Sequence, residues 1–182
     1  MMTRHKLFTL FLLLSLLLTS SGALADTKTE VLFNIINERL SYMESVALYK
    51  ATHHLPIEDS EREKVVLTKA LESADELQID KGSLSHFFEV QIRVAKAIQY
   101  RHRADLLHTQ ETPQTDDLIA VIRPKLIELS ARLNSVLSDV IEAGGINEQD
   151  RTLFTQIINR RYLSESDKKH LFDALLHIKR KG

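Results

Sequence analysis

Cationic side chains occur on a helical face that is otherwise apolar. Arg39 and Lys50 share one face with Ile36, Met43 and Val46, because a separation of eleven residues is close to three full helical turns. At about 1.5 Å per residue, the two cations lie roughly 16 Å apart along the helix axis, so two long side chains can close on one small anion. A buried cation without a partner is strongly unfavourable, and these groups therefore require partners.

The pattern recurs further along the chain, where Arg62, Gln91, Gln99 and Arg132 each lie among apolar neighbours. Periodicity alone leaves two interpretations open. In the first, the cations pair internally with acids such as Glu63, or extend solvated heads from apolar stems. In the second, the helices enclose a pocket that receives an anionic ligand.

The elements that must position these residues are helices. With five glycines and three prolines in 182 residues, long stretches contain no helix breaker. A capping box is expected at Ser60-x-x-Glu63, and Pro124 moves the start of the fourth helix to about Arg123. The spacing of apolar residues predicts helices over about 27–52, 60–77, 83–108, 117–142, 147–159 and 164–180, with a polar linker at 109–117. The fold prediction is an all-α, single-domain bundle of about six helices.

Composition excludes several classes of protein. The 24 Lys and Arg residues nearly balance the 25 Asp and Glu residues, which argues against a nucleic-acid binder. The chain has no cysteine, so disulfides, thiolate metal sites and cysteine nucleophiles are excluded. His170 and His177 have no carboxylate at matching spacing, and His53 and His54 point to different sides, so no metal site is predicted.

The first 25 residues have the three parts of a secretory signal peptide. A basic segment at 3–6 precedes a twelve-residue apolar run at 7–18, and Ala23-Leu24-Ala25 supplies the small residues of a cleavage site. The run is shorter than the roughly 20 residues of a spanning helix, although an uncleaved membrane anchor is the alternative. We expect cleavage after Ala25, a domain at 26–182, and a periplasmic or secreted protein with no membrane association after cleavage.

Four ordered motifs resemble a known family. They are Arg39-Leu40, then Val46-Ala47-x-x-Lys50, then Leu55-Pro56-Ile57-Glu58-Asp59-x-x-Arg62, followed by Phe87-Phe88-x-x-Gln91-Ile92-x-x-Ala95-Lys96-x-Ile98-Gln99. This set is similar to the signature of the all-helical chorismate mutases. The resemblance is densest over about 31–107, and the C-terminal helical half at 117–180, together with the export signal, is typical of the secreted, periplasmic subclass.

The resemblance implies conversion of chorismate to prephenate by an intramolecular Claisen rearrangement, with no cofactor or metal. The chemistry needs orientation of the reactive conformer and fixed charge where negative charge develops on the ether oxygen. Cations on an apolar wall supply both. By position, Lys50 and Gln99 are implied to contact the ether oxygen as the catalytic residues, and Arg39 and Arg132 to clamp carboxylates through their planar forks.

The other implied binding residues surround the start of the second helix. Arg62 corresponds to a family arginine near the substrate carboxylate, and Asp59 and Glu63 to acids near the substrate hydroxyl. Helix capping by Asp59 or Ser60, with Glu63 closing the box, is the rival explanation for the acids. Arg132 is implied to complete each pocket within one chain, and a homodimer is expected.

Two departures from the family pattern leave other functions open. Ala95 stands where many relatives have Ser or Thr, and Val66 where a secreted relative can have Gln. The alternatives are a periplasmic protein that binds a dicarboxylate without chemistry, and an interaction protein whose cations are paired internally.

Overall fold

The computed structural model describes residues 20–108 and 114–182. In these ranges the α-helices are α1 (Ser20–Ser41), α2 (Met43–Thr52), α3 (Ser60–Glu72), α4 (Lys81–Leu106), α5 (Arg123–Glu142), α6 (Arg151–Ile157) and α7 (Glu165–Leu176). A π-helical turn (Leu118–Ile122) precedes α5 and a 3-10 turn (Glu148–Asp150) precedes α6. No strand occurs in the described ranges, and the all-α prediction is confirmed.

Two parts of the sequence-based prediction lie outside the described residues. These are residues 1–19 of the expected signal peptide and residues 109–113 of the expected linker. Within the part of the chain that the structure describes, no helix has both the length and the apolarity needed to cross a membrane.

The first predicted helix is two helices separated at Tyr42. The Ser41 hydroxyl donates to the Glu38 carbonyl at 2.6 Å, and this side-chain bond competes with the backbone pattern at the end of α1. Tyr42 itself keeps right-handed helical angles, with φ −75° and ψ −11°. Because the break is so slight, α2 continues nearly in phase with α1.

α3 ends earlier than expected, at Glu72 instead of near Leu77, because α5 supplies a partner to its last turn. The Asn134 side-chain amide donates to the Ala70 carbonyl at 2.7 Å and to the Ser73 hydroxyl at 3.0 Å. These bonds satisfy carbonyl and hydroxyl groups that the helix end leaves open. They also join α3 to α5 along one side of the bundle.

The π-helical turn has a local cause in Pro124. Proline has no N–H, so it cannot donate to the Ala120 carbonyl four residues earlier. The turn widens instead, with the Arg123 N–H bonded to the Leu118 carbonyl, and the Asp117 carboxylate caps the amides of the first turn. Regular α-helix then starts at Arg123, as the position of Pro124 predicts.

The core is one continuous apolar cluster of the described residues, to which α1, α4, α5 and α7 each contribute several buried side chains. α2 contributes Met43 and Val46, α3 contributes Ala70, and α6 contributes Phe154. Phe33 of α1, Phe154 of α6 and Phe172 of α7 meet in it, with ring centroids 5.1 Å apart for Phe33–Phe154 and for Phe154–Phe172. α1 packs against α5 and α6, α2 against α4, and α4 against α3 and α7. The C-terminal half therefore covers α1 and α4, whose opposite sides face a pocket.

Candidate active site

A cavity of about 400 Å³ lies between α1, α2, α3, α4 and α5. Its wall is largely apolar, with contributions from Met43, Val46, Ile57, Val66 and Leu118. The sequence-predicted residues that line it are Arg39, Lys50, Asp59, Arg62, Glu63 and Gln99. The structure thus brings six of the seven predicted site residues to one cavity.

Lys50 is buried, and its side chain is held by a neutral carbonyl group. Its Nζ donates to the Ile57 carbonyl at 2.7 Å, and within the described chain no Asp or Glu oxygen lies within ion-pair distance of it. Burial lowers the pKa of Lys50, the Asp59 charge opposes this shift, and the Arg123 charge adds to it. An ammonium has three donors, so Lys50 can still donate to a ligand in the cavity.

Among the described residues, the polar partners of Arg39 are also all neutral. Its Nε donates to Gln91 Oε1 at 3.0 Å, and its Nη1 donates to the Leu126 carbonyl at 2.8 Å and to the Ser130 hydroxyl. Burial lowers the pKa of Arg39 to about 10, a value at which the guanidinium is still charged at neutral pH. Internal pairing is therefore not the explanation for Arg39 or Lys50.

Gln99 has one end of its amide without a partner. The residue is 5% exposed, and its Nε2 donates to the Ala95 carbonyl at 3.2 Å and contacts Met43 Sδ at 3.7 Å. Its Oε1 is buried and makes no hydrogen bond in the described structure. A half-turn of the amide exchanges the two ends and places the donor where the unpaired oxygen now lies.

Asp59 and Glu63 have different roles from those of a capping box. Asp59 is the N-cap of α3 and accepts from the Arg62 N–H at 3.1 Å, so Ser60 is the first helical residue. Glu63 does not close the box, because it pairs with Lys96 of α4 at 3.2 Å. The capping box predicted at Ser60 and Glu63 is therefore wrong, since the carboxylate one residue earlier takes the cap.

Arg62 and Arg123 bring two more cations to the wall. Arg62 is half-buried, and burial, followed by the Arg123 charge, lowers its pKa, while the Asp59 charge opposes the shift. Among the described residues no carboxylate pairs with the Arg62 side chain. Arg123 Nη2 lies 3.6 Å from Asp59 Oδ2, at the start of α5. Two cations, Arg62 and Arg123, thus lie near one carboxylate, that of Asp59.

Arg132 lies outside the cavity, and this corrects the expectation that it lines the pocket. It is exposed, whereas Arg123, Ile127, Ser130 and Asn134 of the same helix line the cavity. Those four positions follow the i, i+4, i+7, i+11 spacing of one face, and Arg132 is about 200° from Ser130. That spacing was the signal in the sequence that would have selected Arg123.

Further polar groups line the cavity that the site prediction did not include. Gln91, Lys96 and Asn134 line it, and Gln91 Nε2 and Asn134 Oδ1 are buried with no hydrogen bond in the described structure. In residues 20–108 and 114–182, no group of three or more His, Cys, Asp or Glu side chains is arranged to hold a metal ion. The cavity is therefore a cationic, amide-bearing and largely apolar site.

Comparison with known proteins points to one family. Residues 26–100 match the family model described as chorismate mutase type II. A monofunctional chorismate mutase from Enterobacter agglomerans is 33% identical over 160 residues, which is 88% of each chain. A secreted chorismate mutase from Yersinia pestis is 35% identical over 148 residues, 81% of this chain and 80% of the relative. The crystal structure of the secreted Yersinia pestis chorismate mutase superposes with a TM-score of 0.76 at 33% identity, covering 82% of this chain and 97% of that one.

Proposed function

The chain belongs to the chorismate mutase type II family and is an isomerase. From this premise we propose that its cavity rearranges chorismate to prephenate, and we propose the role of each cavity residue and the cellular location of the reaction. The observation that carries the proposal is a set of cations that line one apolar cavity and are not neutralised by carboxylates of the described chain. Arg39, Lys50 and Arg62 have no carboxylate at ion-pair distance in the described structure. Chorismate is a dicarboxylate, and it supplies the missing negative charge.

Binding and orientation come from the arginines. In the proposed complex, Arg123 and Arg62 meet one carboxylate at the start of α3, and Arg39 meets the other from α1. Holding both carboxylates folds the side arm of the substrate over its ring, which removes the entropic part of the barrier before reaction. Arg123 takes the role that the family resemblance assigned to Arg132.

The chemical step is stabilised by fixed donors. One C–O bond breaks as one C–C bond forms in the same molecule, so no group leaves and no oxidant or base is required. Negative charge develops on the ether oxygen, where the Lys50 ammonium is the proposed principal donor and the Gln99 amide the second. Because the cavity wall is apolar, these donors act in a medium of low effective dielectric, in which they are stronger than in water.

Export is the second part of the proposal. We infer that residues 1–25 are removed after Ala25 and that the enzyme acts in the periplasm or outside the cell. The names of the secreted relatives support export of this chain. Sequencing the N-terminus of the exported protein tests this directly, with Asp26 as the expected first residue.

Chorismate consumption tests the reaction and the site together. The purified protein is expected to convert chorismate to prephenate, and Lys50→Ala to reduce kcat by about 10³-fold, as loss of one preorganised oxyanion donor does. Lys64→Ala is the matched control, because Lys64 is exposed and pairs with Glu61 on the outer side of α3. An active Lys50 variant would contradict the assignment.

A non-catalytic dicarboxylate-binding protein is the second candidate, and Ala95 favours it because no hydroxyl is present at that position of the wall. It predicts that chorismate raises the Tm of the protein while no prephenate forms. We also propose a homodimer from the family resemblance, to be measured by light scattering of the purified protein.

A further inference from the structure

Gln91 lines the cavity beside Arg39 and is bonded to it. It is 4% exposed, at the middle of α4. Its Oε1 accepts from Arg39 Nε at 3.0 Å, across 52 residues of sequence. Its Nε2 is buried and makes no hydrogen bond in the described structure.

The unpaired end shows which part of the side chain matters. A buried donor without a partner is unfavourable, and an apolar side chain of the same length would avoid that cost. In the part of the chain that the structure describes, the oxygen alone of this amide makes a polar contact, and we take that contact as its role. The partner of this oxygen is Arg39, the cation that binds a substrate carboxylate in the proposed function.

The neutrality of this oxygen is as important as its position. A glutamate would fit the same space and accept the same hydrogen bond, but its charge would neutralise Arg39 before any ligand arrived. The other acceptors on Arg39, the Leu126 carbonyl and the Ser130 hydroxyl, are neutral too. All of them fix the direction of the guanidinium and leave its charge available.

We propose that Gln91 is a positioning residue that acts through Arg39, an inference that rests on the proposed function. Gln91 fixes the Nε edge of the guanidinium, while Leu126 and Ser130 fix Nη1. The remaining Nη2 amino group is turned toward the carboxylate of the bound substrate. Gln91 therefore sets substrate affinity without contacting the reacting atoms.

The test is a double-mutant cycle on the whole exported protein. Gln91→Met removes the acceptor at constant length and is expected to raise KM for chorismate about tenfold while kcat changes less than twofold. In an Arg39→Lys background, which lacks the Nε edge, the same substitution is expected to change KM less than twofold. Gln156→Met, at an exposed glutamine of α6, is the control and leaves KM unchanged.

Gln91→Glu tests neutrality separately. It keeps the acceptor and the shape, and KM is expected to rise more than in Gln91→Met because the new carboxylate competes with the substrate for Arg39. This variant also keeps the experiment informative if Gln91→Met does not fold, as judged by circular dichroism.

The outcomes separate this inference from the proposed function. If the wild-type protein neither turns over nor binds chorismate by calorimetry, the proposed function fails and the inference fails with it. If the wild type is active but Gln91→Met raises KM equally in both backgrounds, or in neither, Gln91 does not act through Arg39. An unchanged KM in Gln91→Glu would overturn the role of neutrality.

Discussion

Replacing Arg123 by alanine is the sharpest test of where the cavity wall lies. Arg123 and Arg132 are both arginines of α5, but only Arg123 lines the cavity, and Arg132 is exposed. We expect Arg123→Ala to damage catalysis strongly and Arg132→Ala to leave it unchanged. The two variants remove the same charge from the same helix, so each serves as the control for the other.

The size of the effect follows from what Arg123 contacts. A hydrogen bond to a charged group contributes about 1.5–3 kcal/mol, which is roughly 10- to 150-fold in kcat/KM. Loss of Arg123 also leaves Asp59, now 3.6 Å from it, as an unopposed negative charge beside an anionic substrate. Because of this repulsion, we expect a loss in kcat/KM near the upper end of that range, about 100-fold. Most of the loss is expected as a rise in KM.

Initial rates of chorismate consumption at several substrate concentrations give kcat and KM for both variants, and thermal unfolding checks that both are folded. Arg123→Lys keeps the charge but lacks the planar fork, and we expect an intermediate loss. A comparable loss in Arg123→Ala and Arg132→Ala, or a larger loss in Arg132→Ala, would refute the assignment of the wall.

Three further predictions test other parts of the structure. Gln99→Glu should make kcat fall as pH rises, because only a protonated carboxyl donates and burial raises its pKa; a flat pH–rate profile would argue against a donor at this position. Phe154→Ala should lower the free energy of unfolding by about 3–5 kcal/mol in a urea titration, since its ring is 1% exposed among two others, and a loss under about 1 kcal/mol would contradict this packing. Hydrogen bonds from Lys181 and Lys81 lower the pKa of Asp75 to about 2, so the ionised form stabilises the fold above about pH 4, and this stability is lost as pH falls toward 2. Asp75→Asn should flatten the acid limb of Tm against pH in that window, and an unchanged limb would show that the pairs are screened by solvent.

Helical periodicity placed Arg39 and Lys50 on one face, as the structure does, but it predicted one continuous helix where the structure has two. The sequence indicated one helix over 27–52, whereas the structure has a break at Tyr42. The prediction for the two cations succeeds because Tyr42 keeps right-handed helical angles, and the phase of α2 relative to α1 is nearly preserved. A break with a wider turn would have rotated Lys50 away from Arg39.

The same reasoning failed for Arg132, for a reason that lies in helix geometry. Leu129 and Leu133 flank it in the sequence and are buried in the core, about 60° and 100° from Arg132 around the helix. Arg132 therefore lies beyond the edge of the stripe that faces the core, on the side of α5 away from the cavity, and its apolar neighbours in sequence do not place it in the pocket. The stripe that faces the cavity begins at Arg123 and depends on the π-helical turn before it, which shifts the phase of α5.

Contacts between helices could not be read from one sequence, and they decide the charge of the site. Lys96 of α4 pairs with Glu63 and, at 2.7 Å, with Glu58, so one lysine holds two acids near the cavity and offsets one of their two negative charges. The cations Arg39 and Lys50, by contrast, are held by carbonyl, hydroxyl and amide oxygens that carry no net charge. Were Glu63 free of Lys96, it would compete with the substrate for these cations. The fold thus pairs these acids with a lysine and holds the two cations through neutral acceptors. In the proposed function, the positive charge of the apolar cavity therefore stays available to a dicarboxylate.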